Sequence, residues 1–254
     1  MMFGLPSSHI CSETCDILFG GKIKINQEMD GYRFSIDAIL LATFTWLKKN
    51  EKVIDLGTGV GIIPIMLGKR DNNVEQIVGI EIQAELAALA QKNVFINGLA
   101  DVIQIYQADI RGMNDVSPSS AFDVVVTNPP YYRVSSGRVN PMYQKAIARH
   151  EIACTLDDVL RATFYLLKEG GRIFLIFPAH RAVTLLNSLR RFMLEPKRLR
   201  WVYSREGEEA KFILTEAHKS GGEGVEVLPP LFLYAQDGKY SPEIEAVYSG
   251  VTIH

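Results

Sequence analysis

Residues 53 to 61 read Val-Ile-Asp-Leu-Gly-Thr-Gly-Val-Gly and continue into Ile62-Ile-Pro-Ile-Met-Leu67. An apolar strand thus runs into three glycines at alternate positions, and then into a helix that tolerates Pro64 in its first turn. Glycines at this junction remove Cβ, so the backbone can turn tightly and approach a ligand at a helix N-terminus. An acidic residue at the end of the next apolar run, Glu81 in Ile77-Val-Gly-Ile-Glu-Ile82, falls about 20 residues further on, the spacing that suits a ribose diol. A third acid, Asp109, follows Val102 to Tyr106. Strand-end acids at this rhythm point to one nucleoside ligand lying across the carboxyl ends of neighbouring strands.

The glycines are spaced G-x-G-x-G, without the extra residue of a dinucleotide-binding loop, and Asp55 precedes them. A carboxylate there repels a pyrophosphate but can hold the ammonium of an amino acid. This favours S-adenosylmethionine, a nucleoside joined to an amino acid, over the cofactor of a dehydrogenase.

The same strand–helix alternation sets the architecture. Strands are expected over 52–56, 77–82, 102–106, 123–127 and 172–177, with helices over 36–47, 62–69, 84–97, 155–168 and 180–194. Such alternation gives an α/β fold, a parallel sheet covered on both faces. A strand is also expected from Phe19 to Ile25. Thr155 and Asp158 form a capping box at one helix start, and Gly170-Gly171 is expected to end that helix. Arg198 to Tyr203, Lys211 to Ala217 and Leu231 to Tyr234 read as strands without intervening helices, so an antiparallel hairpin is expected to close the sheet.

At the end of one apolar strand stands Val126-Thr-Asn-Pro-Pro-Tyr131. Asn128 offers an amide oxygen, the Pro129 carbonyl faces no following N–H because Pro130 has none, and Tyr131 offers an aromatic face. A nitrogen attached to a planar π-system has a delocalised lone pair; acceptors that hold both N–H protons draw it towards tetrahedral geometry and make it nucleophilic. An aromatic face can fix the ring's orientation. Read alone, the motif is equally compatible with a proline-rich turn.

Composition restricts the setting. With 254 residues and 47% hydrophobic content, the chain can fill one large α/β core. No apolar run approaches ~18 residues and Met1-Met-Phe-Gly-Leu-Pro6 lacks a signal-like pattern, so a cytoplasmic location and no membrane are expected. Cys11, Cys15 and Cys154 cannot all pair, which suits a reducing compartment, and no second Cys/His pair joins Cys11 and Cys15 in a metal site.

Formal net charge is −2, yet Arg181, Arg190, Arg191, Lys197, Arg198, Arg200 and Arg205 face Glu195 alone within their stretch. Arg133, Arg138, Lys145 and Arg149 form a second acid-free stretch, interleaved with Tyr143. Basic and aromatic residues beside a reactive corner suit a polyanion with stackable bases, although a solvated helix face gives the same pattern in the first stretch.

Taken together, Asp55 to Gly61, Glu81, Asp109 and Asn128 to Tyr131 resemble a class I S-adenosylmethionine-dependent methyltransferase of the amino-group subtype. Gly31-Tyr-Arg-Phe-Ser-Ile-Asp-Ala-Ile-Leu-Leu41, Ala148-Arg-His-Glu151 and Pro229-Pro230 resemble the bacterial tRNA1(Val) adenine-N6 methyltransferase family. The resemblance implies a Rossmann-like fold, a seven-stranded mostly parallel sheet with a C-terminal antiparallel hairpin, residues 51–254 forming the methyltransferase domain and 1–50 an extension packed on it. It implies S-adenosyl-L-methionine as cofactor, contacted by Phe34, Asp37, Asp55, Gly57, Thr58, Gly59, Gly61, Glu81, Ile82, Asp109, Ile110 and Asn128. Within this set Asp55 and the glycines would seat the methionine moiety, Glu81 the ribose and Asp109 the adenine amino group.

The resemblance further implies catalysis by Asn128, Pro129, Pro130 and Tyr131 on adenosine 37 of a valine tRNA, with no metal. Its anticodon loop would dock on Arg133, Arg138, Lys145, Arg149, Arg198 and Arg200. His150 would order the loop after the corner, and the protein would be a monomer or weak homodimer. Three alternatives remain open at this point. The corner could hold a protein glutamine side chain, although only 54 residues precede Asp55 where such enzymes carry a substantial helical domain. It could act on DNA adenine, or the fold could serve a non-catalytic RNA-binding subunit.

Overall fold

Gly20 and Gly21, with φ of 62° and 93°, turn the chain back on itself where a single strand over Phe19–Ile25 was expected. In the computed structural model, which describes residues 13–28, 35–70, 74–129 and 154–249, strand β1 (Glu13–Leu18) pairs antiparallel with β2 (Ile23–Glu28) across this turn. The left-handed backbone that glycine permits is what separates the two strands.

Helix α1 (Ile36–Phe44) leads into the main sheet, whose parallel strands are β3 (Lys52–Leu56), β4 (Gln76–Glu81), β5 (Ile103–Gln107), β6 (Phe122–Thr127) and β7 (Leu167–Pro178). Between them lie α2 (Ile62–Arg70), α3 (Ala84–Ile96), the single turn α4 (Met113–Val116) and α5 (Leu156–Leu166). After β7 come α6 (Ala182–Arg191) and the antiparallel pair β8 (Leu194–Tyr203) and β9 (Ala210–Lys219). The two-residue strands β10 (Glu226–Val227) and β11 (Leu231–Phe232) each lie parallel to β8, and α7 (Pro242–Tyr248) follows.

The sheet runs β10-β8-β9-β7-β6-β3-β4-β5, with β11 also on β8. Its seven long strands and closing hairpin match the expected Rossmann-like class. The segment from Leu231, expected to be a full strand, contributes only β11, parallel to β8.

Alternation along the strands builds two apolar layers. Val53, Ile77, Val124, Val126, Phe174 and Ile176 pack with α1, α2 and α3, whereas Ile54, Leu56, Ile80, Val125, Ile173 and Leu175 pack with α5 and α6. Successive residues on a strand point to opposite faces, so a buried parallel strand must be apolar on both.

The capping box forms as expected: Thr155 Oγ1 accepts from the Asp158 amide over 3.2 Å, and Asp158 Oδ2 accepts from the Thr155 amide over 3.0 Å. The helix does not reach Gly170-Gly171. Buried Leu167 is already extended and sits opposite Phe122, and the β6–β7 register slips between Phe122 and Val124. Pairing with β6 therefore ends the helix before the glycines, and Gly170, with φ 69°, lies within the irregular start of β7.

Two asparagines join the amino-terminal hairpin to this core. On α3, Asn93 and Asn97 stand one turn apart. Each uses its amide oxygen to accept a β2 backbone N–H and its amide nitrogen to donate to a β2 carbonyl: Asn93 pairs with Asn26 at 2.8 and 3.0 Å, Asn97 with Lys24 at 3.0 and 2.6 Å. The side chains substitute for a neighbouring strand and satisfy polar groups on the edge of β2.

Candidate active site

Strand order reverses between β3 and β6. From β3 the chain proceeds outward to β4 and β5, then returns to place β6 on the other side of β3. Such a switch point opens a crevice at the carboxyl ends of the strands. The two strand ends are tied directly, because buried Thr127 donates its hydroxyl to the Leu56 carbonyl over 2.9 Å. Asp55, Glu81 and Asn128 belong to three adjacent strands or their carboxyl ends, β3, β4 and β6.

The loop after β3 is held from β4. The amides of Gly57 and Thr58 both donate to the Ile80 carbonyl over 2.9 Å. Glu81 then accepts the Gly59 amide at Oε2 over 2.9 Å and the Gln83 amide at Oε1 over 3.0 Å. The acid expected at a ribose thus also fixes the glycine loop and the turn into α3. Gly61 has φ 85°, and a Cβ there would stand 3.3 Å from Ala90 Cβ on α3. At Gly57, with φ 80°, a Cβ would meet nothing within 4 Å, so this backbone faces open space.

Asp55 is fully buried, and neither carboxylate oxygen has a hydrogen-bond partner; the same holds for the Thr58 hydroxyl. Burial drives the Asp55 carboxyl up from 3.8 to about 7. Thr58 nearby opposes the rise, though its geometry falls outside hydrogen-bonding limits, and the Glu81 carboxylate reinforces it. A buried carboxylate without partners is costly unless a ligand supplies the missing cation or donors. The orphaned oxygens, the open space at Gly57 and the acid at the end of β4 fit a ligand that carries an ammonium group and a diol.

Asn128 directly follows β6. Its Nδ2 donates to Asp37 Oδ2 over 3.1 Å, across 91 positions of sequence. Asp37, buried at the first turn of α1, also accepts from the Ala38 amide at Oδ1 over 3.1 Å and from the Ser35 hydroxyl. Pro129 is buried beside Asn128. The helix start and the end of β6 are therefore in contact at the residue that the sequence singles out for amine chemistry.

Asp109 caps the short turn after β5, and both its oxygens are engaged by Arg111. The Arg111 Nε lies 3.0 and 2.9 Å from Oδ1 and Oδ2, and its backbone amide donates to Oδ1 over 2.9 Å. The Arg111 side chain holds the carboxyl below its ordinary range. Sequence reading missed Arg111. Its position two residues after a strand-end acid, where a capping turn brings it onto the carboxylate, was the available signal. Ile82 and Ile110, also expected at the cofactor, immediately follow Glu81 and Asp109; Ile110 packs against the sheet face that carries α5.

Phe34, Pro130, Tyr131, Arg133, Arg138, Lys145, Arg149 and His150 lie outside the described residues. The other two residues expected at RNA, Arg198 and Arg200, lie among the described residues, and both pair with acids of the sheet and its flanking helix. Arg200 is buried, its guanidinium 2.7 Å from Glu243 Oε1, with its Nε donating to the Pro229 carbonyl over 3.0 Å. Arg198 lies between Glu216 on β9 and Glu226 on β10, 3.3 and 3.7 Å from their carboxylates, with its guanidinium over the Phe44 ring. These pairings come from acids distant in sequence and tie β8 to β9, to β10 and to α7. Elsewhere in the same basic run, Arg190 pairs with Glu195 and Arg191 with Asp157.

Among the described residues, no group of three or more His, Cys, Asp or Glu is placed to hold a metal ion, and no helix is long and apolar enough to cross a membrane.

A Rossmann-like sheet of this order, with a glycine loop braced from the next strand and an Asn-Pro corner at the switch point, defines a methyltransferase. The methyltransferase small domain model matches residues 36–192, and the chain belongs to that family. Its curated relatives include proteins named tRNA1(Val) (adenine(37)-N6)-methyltransferase. The one from Actinobacillus pleuropneumoniae serotype 5b is 30% identical over 179 residues, 70% of this chain and 73% of the relative. The one from Photobacterium profundum is 28% identical over 218 residues, 85% of this chain and 90% of the relative. Among solved structures, a predicted O-methyltransferase from Agrobacterium tumefaciens superposes with a TM-score of 0.68 at 19% identity, over 86% of this chain and 98% of that one, which supports the fold.

Proposed function

We propose that this enzyme methylates N6 of an adenosine in tRNA, and specifically adenosine 37 of a valine tRNA, using S-adenosyl-L-methionine. The observation that carries the reading is the contact between Asn128 and Asp37 at the switch point beside orphaned Asp55. The names of the curated relatives support the same substrate.

S-adenosyl-L-methionine, when bound, supplies an electrophilic methyl group on a positively charged sulfur. Asp55 would hold its ammonium group, and the glycine loop its methionine moiety. Glu81 would hold the ribose hydroxyls, and Asp109 the adenine amino group. Asn128 Oδ1 and the Pro129 carbonyl would accept the two N–H protons of the substrate amine and turn its lone pair out of conjugation. Tyr131 would stack on the adenine. The proton lost from the nitrogen can leave to water after transfer, so no strong base is required; positioning supplies most of the acceleration. A single-stranded loop presents its base at little unpairing cost.

The test is transfer of labelled methyl from S-adenosyl-L-methionine to separate pools of tRNA, rRNA, DNA and protein. Label in tRNA is expected. Label confined to protein, on glutamine, would overturn the reading.

A further inference from the structure

We propose that Asp37 is a positioning residue for the amine-binding amide: it acts through Asn128, fixing which end of that side chain faces the substrate. This rests on the reading of Asn128 as acceptor for the substrate amino group, and departs from the expectation that Asp37 contacts the cofactor.

The argument begins with the two ends of a carboxamide, which are nearly equal in size and opposite in hydrogen-bonding role. A substrate amino group presents donors, so only the Oδ1 end of Asn128 can bind it; the Nδ2 end would set donor against donor. Rotation by half a turn exchanges the two ends. Something must therefore decide the orientation before the substrate arrives.

Asp37 Oδ2 stands 3.1 Å from Asn128 Nδ2. A carboxylate only accepts, so the end of the amide that faces it must be the NH2 end. The trigonal geometry of the amide then directs Oδ1 away from Asp37. Asp37 is itself restrained, since its Oδ1 accepts from the Ala38 amide and the Ser35 hydroxyl at the start of α1. Asp37 is buried and Asn128 half-buried, so the bond is partly sheltered from the screening that weakens exposed bonds. A negative partner also strengthens the Nδ2 bond beyond that of a neutral acceptor. An acceptor set in place before the reaction needs no reorganisation when the nitrogen changes geometry.

The same contact has a structural consequence for the amino-terminal segment. Helix α1 precedes the glycine loop, yet through Asp37 it reaches the end of β6 on the far side of β3. The segment before the parallel sheet thereby takes part in the amine site.

The experiment combines a double-mutant cycle with a substrate-free readout. Asp37→Ala, Asp37→Asn, Asn128→Ala and the double variant are compared for kcat and KM on tRNA, for S-adenosyl-L-methionine affinity by calorimetry, and for melting temperature. Asp37→Ala is expected to lower kcat by about ten- to a hundredfold, with KM for tRNA and cofactor affinity within about twofold of wild type. Asp37→Asn, which still offers an amide oxygen, should recover part of that loss. In the Asn128→Ala background, Asp37→Ala should cost nothing further.

In parallel, asparagine-selective 15N labelling follows the Asn128 side-chain NH2 resonances without substrate. They should shift in Asp37→Ala while the protein remains folded. Unmoved Asn128 resonances, additive losses in the cycle, or weakened cofactor binding at unchanged kcat would each overturn the proposal. Wild-type protein that labels no tRNA while the resonances shift as expected would overturn the substrate reading and leave the Asp37–Asn128 orientation standing.

Discussion

The amide of Gly59 donates to Glu81 Oε2 over 2.9 Å, so one carboxylate at the end of β4 both restrains the glycine loop and stands where a ribose is expected. Its other oxygen holds the Gln83 amide at the turn into α3. The geometry of the glycine loop and that of the turn into α3 are thus joined in a single side chain.

Glu81→Ala is therefore expected to weaken S-adenosyl-L-methionine binding by about tenfold or more, since charge-assisted bonds to two backbone amides are lost together with any ligand bond. Glu81→Gln keeps one acceptor for Gly59 and should fall between alanine and wild type. Calorimetry on folded variants tests this, and wild-type affinity in Glu81→Ala would remove the residue from the pocket.

Asp55 gives a pH dependence of definite sign. Its folded-state pKa, about 7, lies above the ordinary 3.8, so the native protein holds the proton more tightly than the unfolded chain. The stabilisation this confers is complete below about pH 4 and is lost as pH rises through 7. Without cofactor, Asp55→Asn should already melt slightly above wild type at pH 5, and the gap should widen by about 5 °C between pH 5 and pH 8. A bound ammonium favours the charged carboxylate, so cofactor binding at pH 6 should release a proton and tighten as pH rises towards 8. Calorimetry in buffers of different ionisation enthalpy measures that release; none at pH 6 would contradict the role given to Asp55.

Arg200 is expected to matter for stability. Removing buried Arg200 would leave the half-exposed Glu243 and the Pro229 carbonyl without it and should cost about 1–3 kcal/mol. Arg200→Ala should lower the melting temperature clearly, while the folded fraction keeps the wild-type affinity and salt dependence for tRNA. Thermal melts alongside filter binding across a salt series separate the two effects. A lost phosphate contact in a fully stable variant would return Arg200 to the docking surface.

Asn93 joins three parts of the site's scaffold, accepting from the Asn26 amide and donating to the carbonyls of Asn26 and Val60, the last within the glycine loop. It is fully buried. Asn93→Ala should leave those groups unpaired, cost about 2 kcal/mol or more, and increase hydrogen exchange in both β2 and the glycine loop. Exchange confined to β2 would show that the loop does not depend on this asparagine.

These cases show what was legible in the sequence. Strands β3, β4, β5 and β6 and the acids at or just beyond their ends follow from local patterns: apolar runs of fixed length, glycines at alternate positions, an acid at the expected interval. The hairpin β1–β2 was missed because the apolar residues around Gly20-Gly21 suggest one continuous strand, and only the glycine pair signals a reversal. The charge run from Arg181 to Arg205 shows a different limit of the sequence. Charge density along the chain carries no record of Glu216, Glu226, Glu243 and Asp157, which folding places on Arg198, Arg200 and Arg191. Nor could spacing reveal Asp37 on Asn128, 91 positions apart, or the way Arg111 closes back on Asp109.

The most direct measurement of the central claim is nucleoside mass spectrometry of tRNA after reaction with S-adenosyl-L-methionine and either wild-type protein or Asn128→Ala. Wild type should produce N6-methyladenosine, mapped to position 37 of the valine tRNA. Asn128→Ala should lose about a hundredfold or more in rate while it still binds tRNA and cofactor. N6-methyladenosine formed at the wild-type rate by Asn128→Ala, or a wild-type product methylated on any other nucleoside, would contradict it.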